Sequence, residues 1–222
     1  MEVKTISSEW ETIHQRRGWG RYPSETVIRF VARNFYQMDR ENVKILDFGC
    51  GQGAHTWYLS REGFDTYAFD GSQSAVDKAV QFLENEGLRA HLDVMDGANI
   101  SYQDDYFDAV IDSACIGHNM IKDIKRMYSE IYRILKKEGK LFTTFFSTKT
   151  TGFGTGECLE HNTYKSVEAG PLQGVGVVHF WDKNEFSEIV KGAGFKNIEI
   201  ENSIYTNNGN YIDSYVLTAT KL

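Results

Sequence analysis

Residues 43–61 constrain the fold more than any other part of the chain. The segment from Val43 to Phe48 predicts a buried strand, and three glycines then precede a helix expected to begin near Ala54. Glycine lets the backbone turn sharply and approach a ligand without a Cβ in the way, and the helix N-terminus behind it offers unpaired N–H groups. The stretch therefore predicts a ligand-binding turn, although its spacing also fits the dinucleotide pattern of a Rossmann loop.

Asp47 separates two interpretations of this turn. A carboxylate two residues before Gly49 repels a pyrophosphate and attracts positive charge, and no Lys or Arg lies within residues 45–60 to offset it. S-adenosylmethionine (SAM) carries positive charge on its ammonium and sulfonium groups. The run 46–53 resembles the first motif, Leu-Asp-x-Gly-x-Gly-x-Gly, of the class I SAM-dependent methyltransferases. This resemblance implies a SAM site that includes Asp47, Gly49 and Gly51, and a glycine-rich turn without a ligand is the alternative.

Asp70 and Gly71 end the second predicted strand, which begins at Phe64. A carboxylate at this place can accept two hydrogen bonds from a ribose diol, as it does in dinucleotide-binding folds. We therefore predict that Asp70 and Gly71 bind the cofactor ribose. Capping of the helix that follows is the alternative.

Two later loops extend the predicted cofactor site. Asp96 and Gly97 follow the third strand, where the resemblance implies an acidic or polar residue beside the adenine amine; an Asp-Gly turn without a ligand is the alternative. Ser113, or Asp112 before it, follows the fourth strand and is expected to contact the methionine part of SAM or to cap the loop. Apolar walls for the adenine ring are expected from Phe69, Val94 and Met95.

Histidines are the candidate catalytic bases. Transfer of a methyl group to a hydroxyl or an amine is helped by a base whose pKa lies near neutrality. His118, just beyond the fourth strand, is the first candidate and His179 is the second, ahead of His55 and His161. For each of them, a hydrogen-bonded structural role is the alternative.

Strand-like and helix-like segments alternate from Val43 to Phe146, which predicts parallel βαβ units with helices on both faces. Near the C-terminus, two strands rich in β-branched and aromatic residues (196–205 and 212–221) flank an Asn-rich turn that is typical of a hairpin. The predicted fold is α/β, with a doubly wound, mostly parallel sheet that finishes in an antiparallel hairpin. The resemblance implies seven strands, and we expect one domain over residues 1–222.

Two segments lie outside this alternation. Residues 1–42 are predicted to form an N-terminal arm or lid, in which Trp19 and Tyr22 cover the cofactor and exclude water. An arm packed against the sheet is the alternative. Residues 147–181 are rich in glycine and lack periodicity, so we expect a long loop that caps the acceptor. A solvent loop of no consequence is the alternative.

The composition disfavours several classes of protein. A net charge of −7 and a pI near 5.4 argue against a nucleic-acid partner, which usually requires a basic surface. Three widely spaced cysteines are typical of reduced cytoplasmic thiols rather than of disulfides or a zinc site, so no metal is expected. No signal peptide and no apolar run of membrane-spanning length stand out, which predicts a cytoplasmic protein with no membrane partner.

These features together predict a SAM-dependent methyltransferase that acts on an oxygen, nitrogen or carboxylate of a small-molecule or glycan acceptor. The fourth strand is not followed by the Asp/Asn-Pro-Pro-aromatic run of amino-directed DNA methyltransferases, which disfavours nucleic-acid bases as acceptors. An NAD-type Rossmann oxidoreductase is one alternative, which Asp47 and the terminal hairpin disfavour. A SAM-binding regulatory protein without transfer activity is the other. The sequence leaves acceptor identity and oligomeric state open.

Overall fold

The structure, a computed structural model, describes residues 5, 8–18 and 20–222. Several helices begin where the sequence offers a side-chain cap, since Ser24, Ser72 and Asp182 each accept a hydrogen bond from a backbone N–H two or three residues further on. None of the helices in the described residues is long and apolar enough to span a membrane. The α-helices are α1 (Ser8–Arg16), α2 (Glu25–Phe35), α3 (Ala54–Arg61), α4 (Gln73–Asn85), α5 (Ile121–Ile134) and α6 (Lys183–Gly192).

The strands of the main sheet are β1 (Lys44–Phe48), β2 (Asp65–Asp70), β3 (His91–Val94), β4 (Phe107–Ser113), β5 (Leu135–Phe146), β9 (Lys196–Asn207) and β10 (Asn210–Thr220). Three short strands lie between β5 and α6, namely β6 (Glu157–Glu160), β7 (Thr163–Lys165) and β8 (Val177–His179). The main sheet has the order β3-β2-β1-β4-β5-β10-β9. Strands β1 to β5 pair in parallel, and β10 is antiparallel to both of its neighbours. This topology confirms the predicted fold.

Helices cover both faces of this sheet because neighbouring residues of a strand point to opposite sides. Ile45 packs in a cluster with α2 and α3, whereas Leu46 packs with α5 and α6 on the other face. In β5, Phe142 belongs to the same cluster as Ile45, and Leu141 belongs to the same cluster as Leu46. Coverage on both faces explains why nearly all residues of β1, β2 and β4 are buried, without the alternation of a strand that faces solvent on one side.

Gly139 lies inside strand β5, close to the end of the helix before it. Helix α5 stops at Ile134 and β5 begins with the next residue. The pairing of β4 with β5 then skips from Leu135 to Lys140, and Glu138 takes a φ of 65° within this bulge. A Cβ on Gly139 would approach the carbonyl oxygen of Lys136 to 2.7 Å, so the glycine serves a tight bend inside the strand.

Residues 147–181 are folded rather than a structureless loop. Strands β6, β7 and β8 form a three-stranded antiparallel sheet, and residues 170–172 form a short 3-10 helix. The segment leaves and rejoins the main sheet at one place, since Trp181 N donates to Phe146 O at 2.9 Å and Thr148 N donates to Trp181 O at 3.0 Å. Strands of three or four residues are too short to produce a recognisable alternation, which is why the sequence did not reveal them.

Candidate active site

A cavity with a volume of about 260 Å³ opens at the carboxyl edge of the parallel strands. Its walls come from the glycine turn after β1, the end of β2, the loops after β3 and β4, the end of β5, helix α1 and the segment 147–181. Among the described lining residues, Asp70 is the only carboxylate and no Lys or Arg is present. Open α/β sheets bind their ligands at this edge.

The glycine turn contributes bare backbone to the cavity wall. Gly49 and Gly51 have φ values of 68° and 52°, a region that favours glycine. A Cβ on Gly49 would lie 2.1 Å from Cys115 Sγ, so the loop after β4 packs directly on this backbone. A Cβ on Gly51 would point into the cavity, 3.6 Å from the His14 ring. The turn therefore exposes backbone at the cavity wall, where a side chain at either position would intrude.

Asp70 stands at the edge of the sheet as the last residue of β2, and Gly71 beside it also lines the cavity. The Asp70 carboxylate accepts hydrogen bonds from Gly51 N and Ser72 N, both at 2.9 Å. Burial raises the pKa of this carboxyl group above its ordinary value. Each carboxylate oxygen can accept more than one hydrogen bond, so Asp70 keeps capacity for a ligand diol.

Asp47 does not face the cavity, which corrects the expectation of direct ligand contact. Its side chain is 1% exposed and its Oδ2 accepts a hydrogen bond from Thr56 Oγ1 at 2.6 Å. The carboxyl group thus joins β1 to the first turn of α3. Burial raises its pKa. Its influence on a ligand is limited to its electric field.

Three buried acidic residues lie at or beneath the floor of the cavity. Asp47, Asp70 and Asp112 are all close enough to the cavity residue Cys115 to raise the pKa of its thiol, although burial is the larger cause. A field of this sign favours a ligand that carries positive charge.

The side of the cavity next to β3 is apolar. Phe48, Phe69 and Met95 line it together with Gly97, whose Cβ would meet the Phe48 ring at 2.6 Å. Val94 is 39% exposed and lies outside the lining, which corrects its prediction as an adenine wall. The remaining residues form a slot suited to a planar ring.

Asp96 closes its own loop instead of lining the cavity. Its Oδ1 accepts hydrogen bonds from Ala98 N at 2.9 Å and from Thr5 Oγ1 at 2.6 Å. These contacts correspond to the alternative interpretation, an Asp-Gly turn. Of the predicted Asp96-Gly97 pair, only Gly97 lies on the cavity wall.

Ser113 lines the cavity, whereas Asp112 before it is a loop cap. Asp112 Oδ1 accepts from Cys115 N at 2.9 Å and Ile116 N at 3.1 Å, and Oδ2 accepts from Thr143 Oγ1 at 2.6 Å. Burial raises the pKa of Asp112 to about 6. The network therefore fixes the loop that presents Ser113 and Cys115.

Helix α1 supplies two cavity residues that the sequence interpretation missed, Trp10 and His14. The spacing of four residues between them places both side chains on one helix face, and this is the signal that could have found them. Glu11 fastens the helix to the start of α4, where it accepts hydrogen bonds from the hydroxyls of Ser72 and Ser74. These contacts lower the pKa of Glu11 to about 2.

The predicted aromatic lid is not formed by Tyr22. Its side chain is 81% exposed and meets the edge of Trp57 with a centroid separation of 6.2 Å, outside the cavity. Trp19, the other predicted lid residue, lies outside the described residues. The N-terminal segment reaches the cavity instead through α1, Thr5 and Gly20.

His118 lies on the cavity wall with one nitrogen engaged. Its Nδ1 is 3.1 Å from the carbonyl oxygen of Val177, and because a carbonyl only accepts, Nδ1 carries the proton. The lone pair is then on Nε2, which has no hydrogen-bond partner among the described residues. Burial lowers the pKa of His118 to about 4, so the ring is neutral at physiological pH.

His179 is fully buried away from the cavity, which corrects its place as a candidate base. Its Nδ1 is 2.7 Å from Thr163 Oγ1, and its Nε2 is 3.6 Å from Glu185 Oε2. The ring thus joins the small sheet to α6. Of the weaker candidates, His55 lines the cavity but accepts a hydrogen bond from Ser24 N at 3.3 Å, and His161 is exposed.

The donors and the shape of this cavity fit SAM. Gly49 and Gly51 leave backbone room that side chains would fill, Asp70 offers a buried carboxylate for a ribose, and the slot beside Gly97 suits an adenine ring. The acidic floor suits the sulfonium and ammonium charges. A pyrophosphate would meet that floor with no cation on the described cavity wall.

Comparisons with known proteins agree with this geometry. Residues 45–139 match the family model of a methyltransferase domain. The chain is 29% identical over 161 residues to phosphoethanolamine N-methyltransferase 2 of Caenorhabditis elegans, which is 71% of this chain and 33% of that protein. It spans less than half the length of the first curated relatives that it matches.

Solved structures share the fold. A SAM-dependent methyltransferase from Methanosarcina mazei superposes with a TM-score of 0.70 at 22% identity, covering 82% of this chain and 93% of the other. Phosphoethanolamine N-methyltransferase 2 of Haemonchus contortus, in complex with S-adenosyl-L-methionine, has a TM-score of 0.69 at 20% identity and covers 96% and 56%. Residues 45–139 therefore match a methyltransferase domain, and the chain shares the fold of a SAM-dependent methyltransferase of known structure.

Proposed function

We propose that this chain is a SAM-dependent methyltransferase that acts on an oxygen, nitrogen or carboxylate of a small-molecule or glycan acceptor. The observation that carries the proposal is a single cavity in which the glycine turn and Asp70 stand beside a neutral histidine, His118. SAM supplies a methyl group on a positively charged sulfur. The relative that acts on phosphoethanolamine is also named for a small-molecule acceptor.

Residues from the glycine turn and from the ends of β2, β3 and β4 bind the cofactor. Gly49, Gly51, Asp70, Gly71 and Gly97 hold the cofactor through backbone approach, ribose hydrogen bonds and ring packing, and Ser113 lies beside them. Holding the acceptor in line with the methyl group supplies much of the rate in such a displacement.

His118 serves as the proton acceptor for a hydroxyl or an amine. Its Nε2 lone pair is presented by the bond from Nδ1 to Val177 O, and its low pKa keeps this lone pair available at neutral pH. The same low pKa makes it a weak base, so its main contribution is to orient the acceptor and to receive the proton as transfer proceeds.

The segment 147–181 forms the acceptor cap. Pro171, Leu172 and Val175 reach the cavity from it, on the side where His118 lies. We also infer a cytoplasmic location from the three free cysteines and no nucleic-acid partner from the charge of −7.

Calorimetry with SAM, its demethylated product and NAD tests the cofactor. We expect binding of the first two and no binding of NAD; tight binding of NAD alone would instead support an oxidoreductase. Incubation with labelled SAM and a small-molecule extract tests transfer. Binding of SAM without any labelled product across broad acceptor libraries would favour a regulatory protein.

A further inference from the structure

Six residues of the cavity wall, which we call the acceptor pocket, come from elements other than the glycine turn and β2. Its members come from α1, from the loop after β4, from the end of β5 and from the cap. They are Trp10, His118, Asn119, Phe146, Leu172 and Val175.

We propose that the acceptor is an uncharged ring compound with one hydroxyl or N–H group, which lies against Trp10 and donates a hydrogen bond to Nε2 of His118. This inference rests on the proposed function, because it assumes that the rest of the cavity holds SAM. It narrows the acceptor from any small molecule or glycan to neutral aromatic or similarly flat molecules.

The side chains around His118 are arranged for a ring. The Trp10 and His118 rings meet edge to face with centroids 4.6 Å apart, and the Phe145 ring also meets the imidazole edge to face, at 5.0 Å. These contacts hold the imidazole in one orientation. Leu172 and Val175 supply aliphatic surface from the cap. An aromatic wall combined with aliphatic contacts favours burial of an apolar ring.

The charge distribution argues against an ionised acceptor. None of the acceptor-pocket residues carries a formal charge, and the described cavity wall holds no Lys or Arg. A phosphate or carboxylate would lose its hydration without a compensating cation, in a cavity whose described wall already contains the Asp70 carboxylate. A neutral acceptor avoids this cost.

Polar recognition is concentrated at two adjacent residues. His118 presents Nε2 as an acceptor, and the Asn119 amide donates one N–H to Ile116 O at 3.1 Å while retaining further hydrogen-bonding capacity. A few polar groups in an apolar pocket are the usual means of orienting a small ligand. One donor group on a ring satisfies this arrangement.

Methyl transfer to such an acceptor requires no proton acceptor other than His118 and water. The acceptor oxygen or nitrogen forms a bond to the methyl carbon while the carbon–sulfur bond breaks, and the electron pair remains on the sulfur. The acceptor proton passes to Nε2 of His118 and then to water.

A matched pair of probes tests the proposal by binding rather than by activity. 2-Naphthol and 2-naphthoate share one ring system, but only the second is charged at neutral pH. With protein saturated by S-adenosylhomocysteine, we expect calorimetry to show 2-naphthol binding at least about tenfold more tightly than 2-naphthoate, and no binding of phosphoethanolamine.

Variants identify the site of binding. Trp10→Ala should weaken 2-naphthol by about tenfold or more, and His118→Ala should weaken it by a smaller factor. Trp57→Ala is the control, because Trp57 stacks on Phe82 outside the cavity and should leave 2-naphthol affinity unchanged.

Tighter binding of either anion, or equal 2-naphthol affinity in the Trp10 and Trp57 variants, would overturn the proposal. So would the failure of every probe to bind protein that still binds S-adenosylhomocysteine. Failure to bind S-adenosylhomocysteine itself would instead refute the proposed function, so the two outcomes are distinguishable.

Discussion

Replacement of Gly49 by alanine tests the geometry of the candidate cofactor turn. Gly49 and Gly87 share a φ of 68°, so alanine meets the same backbone strain at both positions. Their surroundings differ. A Cβ on Gly49 would lie 2.1 Å from Cys115 Sγ and 2.5 Å from Cys115 Cβ, whereas a Cβ on Gly87 has nothing within 4 Å. Gly87→Ala is therefore a matched control for Gly49→Ala.

The size of each effect follows from these contacts. A left-handed backbone conformation costs a residue with a Cβ about 1–2 kcal/mol, which applies to both variants. Forcing extra volume into packed surroundings adds about 1–3 kcal/mol, which applies to Gly49 alone. The loss of chain entropy in the unfolded state is similar at the two sites and cancels in the comparison. Gly49→Ala should lose about 1–3 kcal/mol more stability than Gly87→Ala.

Guanidinium denaturation followed by circular dichroism measures the two free energies of unfolding, and calorimetry measures SAM binding. Gly87→Ala should bind SAM as the parent protein does. Gly49→Ala should bind it much more weakly, because Cys115 and the turn must move apart at the cavity wall. Equal losses of stability, or undisturbed SAM binding by a folded Gly49→Ala protein, would refute this reasoning.

Three further predictions concern titratable groups. If His118 receives the proton, kcat/KM should stay level as the pH falls to about 5 and decline near its pKa of about 4, where the ring becomes protonated; a midpoint near the ordinary 6.5 in a pH–rate profile would contradict this. The pKa of Glu11 is lowered from 4.5 to about 2, so its contribution to stability is present above pH 4.5 and is lost as the pH falls towards 2. The difference in free energy of unfolding between the parent protein and Glu11→Gln, measured by denaturation, should therefore shrink over that range. A difference that stays constant would contradict the role of the Glu11 carboxylate in holding α1 to α4. Asp70→Asn should weaken SAM binding, measured by calorimetry, by about 1.5–3 kcal/mol for each charge-assisted hydrogen bond lost. Asp77→Asn, at an exposed position outside the cavity, should leave SAM affinity unchanged. Equal SAM affinities of the two variants would show that Asp70 does not bind the cofactor.

The sequence predicted the elements that depend on local patterns. Helix α3 begins at Ala54, as predicted, because a glycine turn precedes it. The hairpin of β9 and β10 also lies at the predicted place. Strong local signals and burial on both faces of the sheet act in the same direction at these positions, so local reasoning is sufficient there.

Contacts between distant residues explain what local reasoning missed. Helix α1 reaches the cavity because Glu11 bonds to Ser72 and Ser74, about sixty positions further along the chain, and because Lys78 donates to the carbonyl of His14. No pattern within residues 1–42 encodes those partners. The small sheet within 147–181 also depends on pairing between distant residues, such as Thr163 with His179.

The contrast between Asp47 and Asp70 shows which acidic residues of such a sheet can meet a ligand. Asp47 lies one residue before the end of β1, so its side chain points to the face covered by α3 and binds Thr56 there. Asp70 is the last residue of β2, and its carboxylate reaches past the sheet edge to the N–H groups of Gly51 and Ser72. A side chain inside a strand is directed to one face of the sheet, whereas the ligand site lies beyond the strand ends. Position relative to the strand end, which a sequence locates only to within a few residues, therefore decides whether a carboxylate contacts the ligand or acts on it only through its field.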